Sequence, residues 1–143
     1  MTSQIPADPV PAATMLLLRD DPEFQVLMVK RHHQIDFASG ALVFPGGKPS
    51  SGDEASEWAD YCKGWNIFDE TQRILRIAAI REAYEEAGIL LADHRDGSPF
   101  EDTCDLERRK AVERGDCEFL DVVRQADLCL RLDRLTDFAR WIT

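Results

Sequence analysis

The sequence predicts one mixed α/β domain. Three observations lead there: short apolar, strand-like runs before residue 45, apolar residues at helical spacing from Asp69 to Gly88, and the size and composition of a single globular unit. Its 143 residues are 44% apolar and 31% charged, enough for one core and too little for two. No window approaches the roughly 18 unbroken apolar residues that a membrane span needs. Acidic residues outnumber basic ones by 27 to 17, and the net charge of −10 repels a nucleic-acid backbone or an anionic membrane. Neither is an expected partner. A small polyanionic substrate suits such a chain only behind a cation or a local cluster of Lys and Arg.

Pro6, Pro9 and Pro11 make residues 1–11 a loose arm, because each ring removes an amide donor that a central strand would use. Ala12 to Arg19 reads as a strand and Asp20-Asp21-Pro22 as turn chemistry, with Phe24 to Arg31 as a hairpin partner or a second sequential strand. Ala41 to Phe44 forms a third short strand that runs into Pro45-Gly46-Gly47, where the glycines permit a backbone turn closed to residues with a Cβ. Asp53 caps a short helix over 53–64, with Trp58, Tyr61 and Cys62 at helical spacing and Gly64 as its stop. A second cap, Asp69, opens a longer helix in which Ile74, Ile77, Ile80 and Tyr84 recur at three- and four-residue steps until Gly88. Ile89 to Ala92 is strand-like, and charged helices are expected from Asp105 to Arg114 and from Asp116 to Gln125. Beyond them come the short apolar positions Leu128, Leu130, Leu132, Leu135 and Trp141, a thin supply for closing a sheet.

Cys62, Cys104, Cys117 and Cys129 show no CxxC spacing, and the opening MTSQIPADPV lacks the basic-then-apolar order of a secretory signal. They read as reduced thiols of a cytoplasmic protein. His32 and His33 are adjacent, and strand neighbours point to opposite faces, so they read as solvated or packing residues rather than ligands of one metal.

The chemistry concentrates in Arg81-Glu82-Ala83-Tyr84-Glu85-Glu86-Ala87-Gly88-Ile89. At about 100° per residue, Glu82, Glu85 and Glu86 share one arc opposite Ile77, Ile80 and Tyr84. Like charges at this spacing cost a few tenths of a kcal/mol per pair, and acids in a last turn meet the negative end of the helix dipole at a similar cost. A bound cation would offset that cost, and clustered carboxylate oxygens suit Mg²⁺ or Mn²⁺ better than a thiolate-loving metal. The other reading is an acidic solvated face with Arg81 bridging to Glu85.

Phe-Pro-Gly-Gly at 44–47 followed by REAYEEAGI at 81–89 resembles the Nudix hydrolase signature: Gly, five residues, Glu, seven residues, then Arg-Glu-U-x-Glu-Glu-x-Gly-U, with U aliphatic. The second half matches at Arg81, Glu82, Glu85, Glu86, Gly88 and Ile89, with Ala83 at the first aliphatic place. The first half departs: Asp53 stands where the pattern has Glu, and 27 residues, 54–80, separate it from Arg81. Such an insertion resembles the subfamily that includes the peroxisomal acyl-coenzyme A diphosphohydrolases, whose VFPGG and IREAFEEAG segments are likewise separated. Here those segments are Val43 to Gly47 and Ile80 to Gly88, and Phe138 to Thr143 also resembles a segment internal to that subfamily.

The resemblance implies an α/β/α sandwich around a mixed sheet over 12–143, with an inserted helical segment at about 54–73. The last strands of that sheet are expected to lie beyond Thr143, so the chain reads as truncated, with inactivity, dimerisation that completes the sheet, or an unstable remnant as the consequences. It also implies metal-dependent attack of water on phosphorus, breaking a pyrophosphate bond in a nucleoside-diphosphate-linked small molecule. Glu82, Glu85 and Glu86 would hold Mg²⁺ or Mn²⁺, and Arg81 completes the catalytic group by orienting a carboxylate. Asp53 or Glu54 stands in for the missing first Glu, and the general base is a Glu of this motif or a residue elsewhere.

Coenzyme A-directed relatives tend to carry Gly-x-Val-x-Phe-Pro-Gly-Gly preceded by two spaced arginines. Gly40, Phe44, Pro45, Gly46 and Gly47 fit, with Leu42 for Val; Arg31 matches the first arginine, and Ile35 stands in the place of the second. Phe44, Gly46 and Gly47, with Arg31 and Lys48, are therefore the substrate-binding candidates; Lys30, Arg31 and Lys48 read as a local basic patch or as solvated strand-end charges, and coenzyme A or an acyl-coenzyme A is the substrate implied. Trp58 and Trp65 are read as core residues, with adenine stacking or an acyl channel as the other use. The rival reading is a non-catalytic nucleotide- or protein-binding module of the same fold.

Overall fold

The computed structural model describes residues 8–30, 40–101 and 105–142. His32, His33, Arg31 and Cys104 lie outside the described residues. Strands β1 (Ala13–Thr14), β2 (Leu18–Arg19), β3 (Gln25–Val26), β4 (Val29–Lys30), β5 (Leu42–Val43) and β6 (Gly46–Gly47) make three antiparallel pairs, β1 with β6, β2 with β3 and β4 with β5. The β2–β3 pair is the hairpin read around Asp20-Asp21-Pro22, with Leu18 opposite Val26.

The centre is helix α1 (Glu70–Ala87). Asp69 caps its start: its carboxylate accepts the Gln72 amide at 2.9 Å, and the Gln72 side chain accepts the Asp69 amide at 3.3 Å, which satisfies two otherwise orphaned donors. Gly88 ends it at φ 71°, a left-handed conformation that costs glycine nothing, and donates to Tyr84 O at 3.0 Å. One face of α1 buries Ile77, Ile80, Ala83 and Tyr84, and Phe119 packs beside it with ring centroids 5.7 Å from Tyr84 and 5.6 Å from Trp58.

Strands β7 (Cys62–Lys63), β8 (Ala92–His94) and β9 (Leu128–Arg131) form a mixed sheet with β9 in the middle, parallel to β7 and antiparallel to β8. Leu128 and Leu130 alternate inward from β9, and Leu132 just after it is also fully buried. Helices α2 (Leu106–Glu113) and α3 (Phe119–Gln125) precede β9. Arg76, buried on α1, donates to Leu135 O at 2.6 Å and to Asp137 at 2.7 Å, tying the segment after β9 back onto the helix. Among the described residues no helix is long and apolar enough to cross a membrane.

From residue 53 onward, four sequence expectations change. The helix over 53–64 is instead two 3-10 turns, Ser51–Glu54 and Ser56–Asp60, followed by β7; Ala55 between them is extended, at ψ 132°. Tertiary partners explain the break, because the Asp53 side chain is drawn onto α1 and Trp58 Nε1 donates to Gly52 O at 2.8 Å. The strand after α1 begins at Ala92 rather than Ile89. The third helix is preceded by Glu118 rather than Asp116. Finally, Leu128 to Arg131 is the central strand of the mixed sheet rather than a set of scattered apolar positions.

Candidate functional site

Arg81 sits near the C-terminal end of α1 with its side chain only 9% exposed, and every nitrogen of its guanidinium has a partner. Nε donates to Asp53 Oδ1 at 3.0 Å, and Nη2 donates to Asp53 Oδ2 at 3.1 Å and to Lys48 O at 3.0 Å. Nη1 is shared by Glu82 Oε1 at 2.9 Å and Glu85 Oε1 at 3.0 Å. Burial works against the Arg81 charge, but the hydrogen bonds and charge of Asp53, then of Glu85, outweigh it and hold the guanidinium above its ordinary pKa. Asp53 is fully buried and is aimed by its own 3-10 turn, in which it accepts the Ser50 amide at 2.8 Å. Its neighbour Glu54 is exposed, so of the two residues weighed as substitutes for the missing Glu, Asp53 is the one on Arg81.

The Gly46-Gly47 backbone closes the other side. Neither glycine has the positive φ that a special turn would require; both lie in β6, paired with β1. Glycine is needed here for close approach. A Cβ on Gly47 would lie 2.6 Å from Glu82 Cδ, and one on Gly46 would lie 2.8 Å from Thr14 Cα. The Gly46 amide donates to Glu86 Oε2 at 3.2 Å, so β6 touches two of the three glutamates. Glu82 and Glu85 are half-buried and Glu86 is exposed. A solvated acidic face therefore does not describe Glu82 and Glu85, and of the three only Glu86 is exposed. Burial pushes the Glu85 carboxyl up; Arg81 opposes this, and the Glu82 and Asp53 charges add to it.

No protein-family model matches the chain. Among curated proteins it is similar to the acyl-coenzyme A diphosphatase NUDT19 of Xenopus laevis, 24% identical over 161 aligned positions that cover 85% of this chain and 42% of that protein. Among solved structures it superposes on a NUDIX hydrolase from Alicyclobacillus acidocaldarius with a TM-score of 0.72 and 25% identity, over 87% of this chain and 58% of the other. The fold is that of a Nudix hydrolase. The chain spans less than half of the curated relative and somewhat over half of the solved one.

On this Nudix-type fold the structure gathers Arg81, Glu82, Glu85, Glu86, Gly46 and Gly47 at one end of α1. Lys48 joins through its carbonyl, while the residue itself is exposed. Phe44 is half-buried beside Pro45, whose carbonyl accepts the Met15 amide at 2.8 Å. Trp58 is core. A cleft of about 320 Å³ opens beside Arg81 and Glu85, walled by Ser50, Arg114, Glu118 and Phe119. Sequence reasoning missed the Lys48 carbonyl and Ser50, because main-chain partners leave no residue-type signal.

Among the described residues, no three His, Cys, Asp or Glu side chains stand arranged to hold a metal ion. Arg81 Nη1 is what lies between Glu82 and Glu85. The donor chemistry nevertheless fits a hard divalent cation: Glu82, Glu85 and Glu86 all carry carboxylate oxygens, and a single guanidinium, that of Arg81, is shared by the first two.

Proposed function

We propose that this chain carries the site of a divalent-metal-dependent Nudix pyrophosphohydrolase acting on a nucleoside-diphosphate-linked small molecule, with coenzyme A or an acyl-coenzyme A as the substrate class. The observation that carries the reading is the buried Arg81 hub, which joins Asp53, Glu82 and Glu85 under the Gly46-Gly47 strand. A helix end so loaded with acids is locally unfavourable, which is expected where the acids have a use. The similarity to an acyl-coenzyme A diphosphatase supports the substrate class.

Glu82, Glu85 and Glu86 would hold Mg²⁺ or Mn²⁺, which when bound neutralises phosphate oxygens and lowers the pKa of a coordinated water. Arg81 has no nitrogen left for substrate, so its work is to fix the carboxylates of Glu82 and Glu85. Gly47 admits Glu82 against the backbone, and the Gly46 amide orients Glu86. Lys48 and Arg31 are the cations proposed to receive the substrate phosphates.

A screen of coenzyme A esters, nucleotide sugars and dinucleotides, each with and without Mg²⁺ or Mn²⁺, tests this reading. Metal-dependent release of the two phosphate-bearing halves from one substrate class is the expected result. Tight nucleotide binding without turnover would favour the non-catalytic module instead.

A further inference from the structure

The last turn of α1 contains acids and no base, so the negative end of its dipole coincides with Glu82, Glu85 and Glu86. Its terminal carbonyls need partners from outside the helix. Ala83 O and Tyr84 O receive the Ile89 and Gly88 amides. Glu85 O and Glu86 O receive Arg109 instead: Nε donates to Glu85 O at 2.8 Å, and Nη2 donates to Glu86 O at 3.3 Å. Arg109 lies on α2, whose start is set by Asp105 accepting the Arg108 amide at 3.1 Å. A cation absent from the last turn of α1 is thus supplied by the neighbouring helix, on the peptide groups of two of the three site glutamates.

We propose that Arg109 is a positioning residue: it fixes the backbone of Glu85 and Glu86 and offsets the negative charge gathered there, which couples α2 to the site. This rests on the reading of the glutamates as metal-holding residues. Both of these Arg109 hydrogen bonds go to peptide oxygens, so its effect passes through the orientation of the helix end.

The test uses the whole chain, with Mn²⁺ alone as the probe, in wild type, Arg109→Ala, Arg109→Lys and, as a neighbour on the same helix, Arg108→Ala, whose side chain pairs with Gln125. In metal-free protein, amide hydrogen exchange at Gly88 and Ile89 should quicken severalfold in Arg109→Ala while amides of residues 74–80 keep wild-type rates. Mn²⁺ affinity should fall by about tenfold in the same variant. Arg109→Lys should recover part of both effects by restoring the charge, and Arg108→Ala should move neither. Unchanged exchange at the helix end in Arg109→Ala, or an increase spread evenly over α1 as in general destabilisation, overturns the proposal. Failure of wild-type protein to bind Mn²⁺ would sink the metal reading, and the exchange data would still decide what Arg109 does.

Discussion

The Asp53 carboxylate and the Arg81 guanidinium form a two-point pair across 28 residues of sequence, at 3.0 Å through Nε and 3.1 Å through Nη2, with the Asp53 side chain 1% exposed. Two parallel bonds fix orientation as well as distance. Removing one partner of a buried pair costs more than the pair contributes, because the survivor stays desolvated. Asp53→Ala should therefore lower unfolding free energy by about 3 kcal/mol. Asp53→Asn, which keeps an acceptor, should cost less. Urea denaturation decides: a loss under about 1 kcal/mol in Asp53→Ala would remove the pair from the account of how the site is held.

Metal should stabilise the folded chain. A ligand that binds only the native state adds about 2.7 kcal/mol at one hundred times its Kd, so Mg²⁺ or Mn²⁺ should raise the Tm measurably. The gain should vanish in Glu85→Gln and Glu86→Gln with the fold retained, because neither residue belongs to the apolar face of α1. Calorimetric melting with and without metal checks both statements. Equal Tm values at millimolar metal in wild type would count against the ligand assignment.

Glu85 gives the chain a specific pH response. Burial raises its folded pKa above the unfolded value, Arg81 opposes this, and Glu82 and Asp53 add to it. The folded state then binds that proton more tightly than the unfolded state, so the associated stability is present at low pH and is lost as pH rises through the folded pKa. Glu85→Gln lacks this loss while keeping an acceptor for Arg81. In chelator-treated samples, the stability of Glu85→Gln relative to wild type should increase as pH rises above the ordinary carboxylate range, then level off. A difference independent of pH would show that Glu85 titrates normally.

What was legible in the sequence was local. Asp69 and Gly88 announce both ends of α1, because a capping side chain and a left-handed glycine act within one turn of the residues they serve. The three glutamates at its end are likewise visible from spacing alone. The segment 53–64 misled because its periodicity is real, yet Asp53 and Trp58 spend their polar atoms on α1 and on Gly52 O rather than on a continuing helix. Strand β9 gives little local signal, because its alternation spans only four residues inside a charged stretch. Arg109 was invisible: it meets Glu85 from 24 residues away, and no local pattern carries such a pairing.

Gly46 and Gly47 should fail in different ways when each is changed to Ala. At Gly46 the new methyl meets backbone, the Ala13 carbonyl and Thr14 Cα, which cannot rotate away, so β1 and β6 must separate. Overpacking of this kind costs about 1–3 kcal/mol, and the Tm should fall. At Gly47 the methyl meets the far end of the Glu82 side chain, which can turn aside, so the fold should survive with little change. What Gly47→Ala displaces is the carboxylate that Arg81 holds at 2.9 Å. It should therefore weaken the thermal response to Mn²⁺ more than it lowers the metal-free Tm, while Gly46→Ala should show the reverse order. Melting each variant with and without Mn²⁺ separates the two effects, and a Gly47→Ala protein with a full wild-type metal response would mean that Glu82 is not held in place by the β6 backbone.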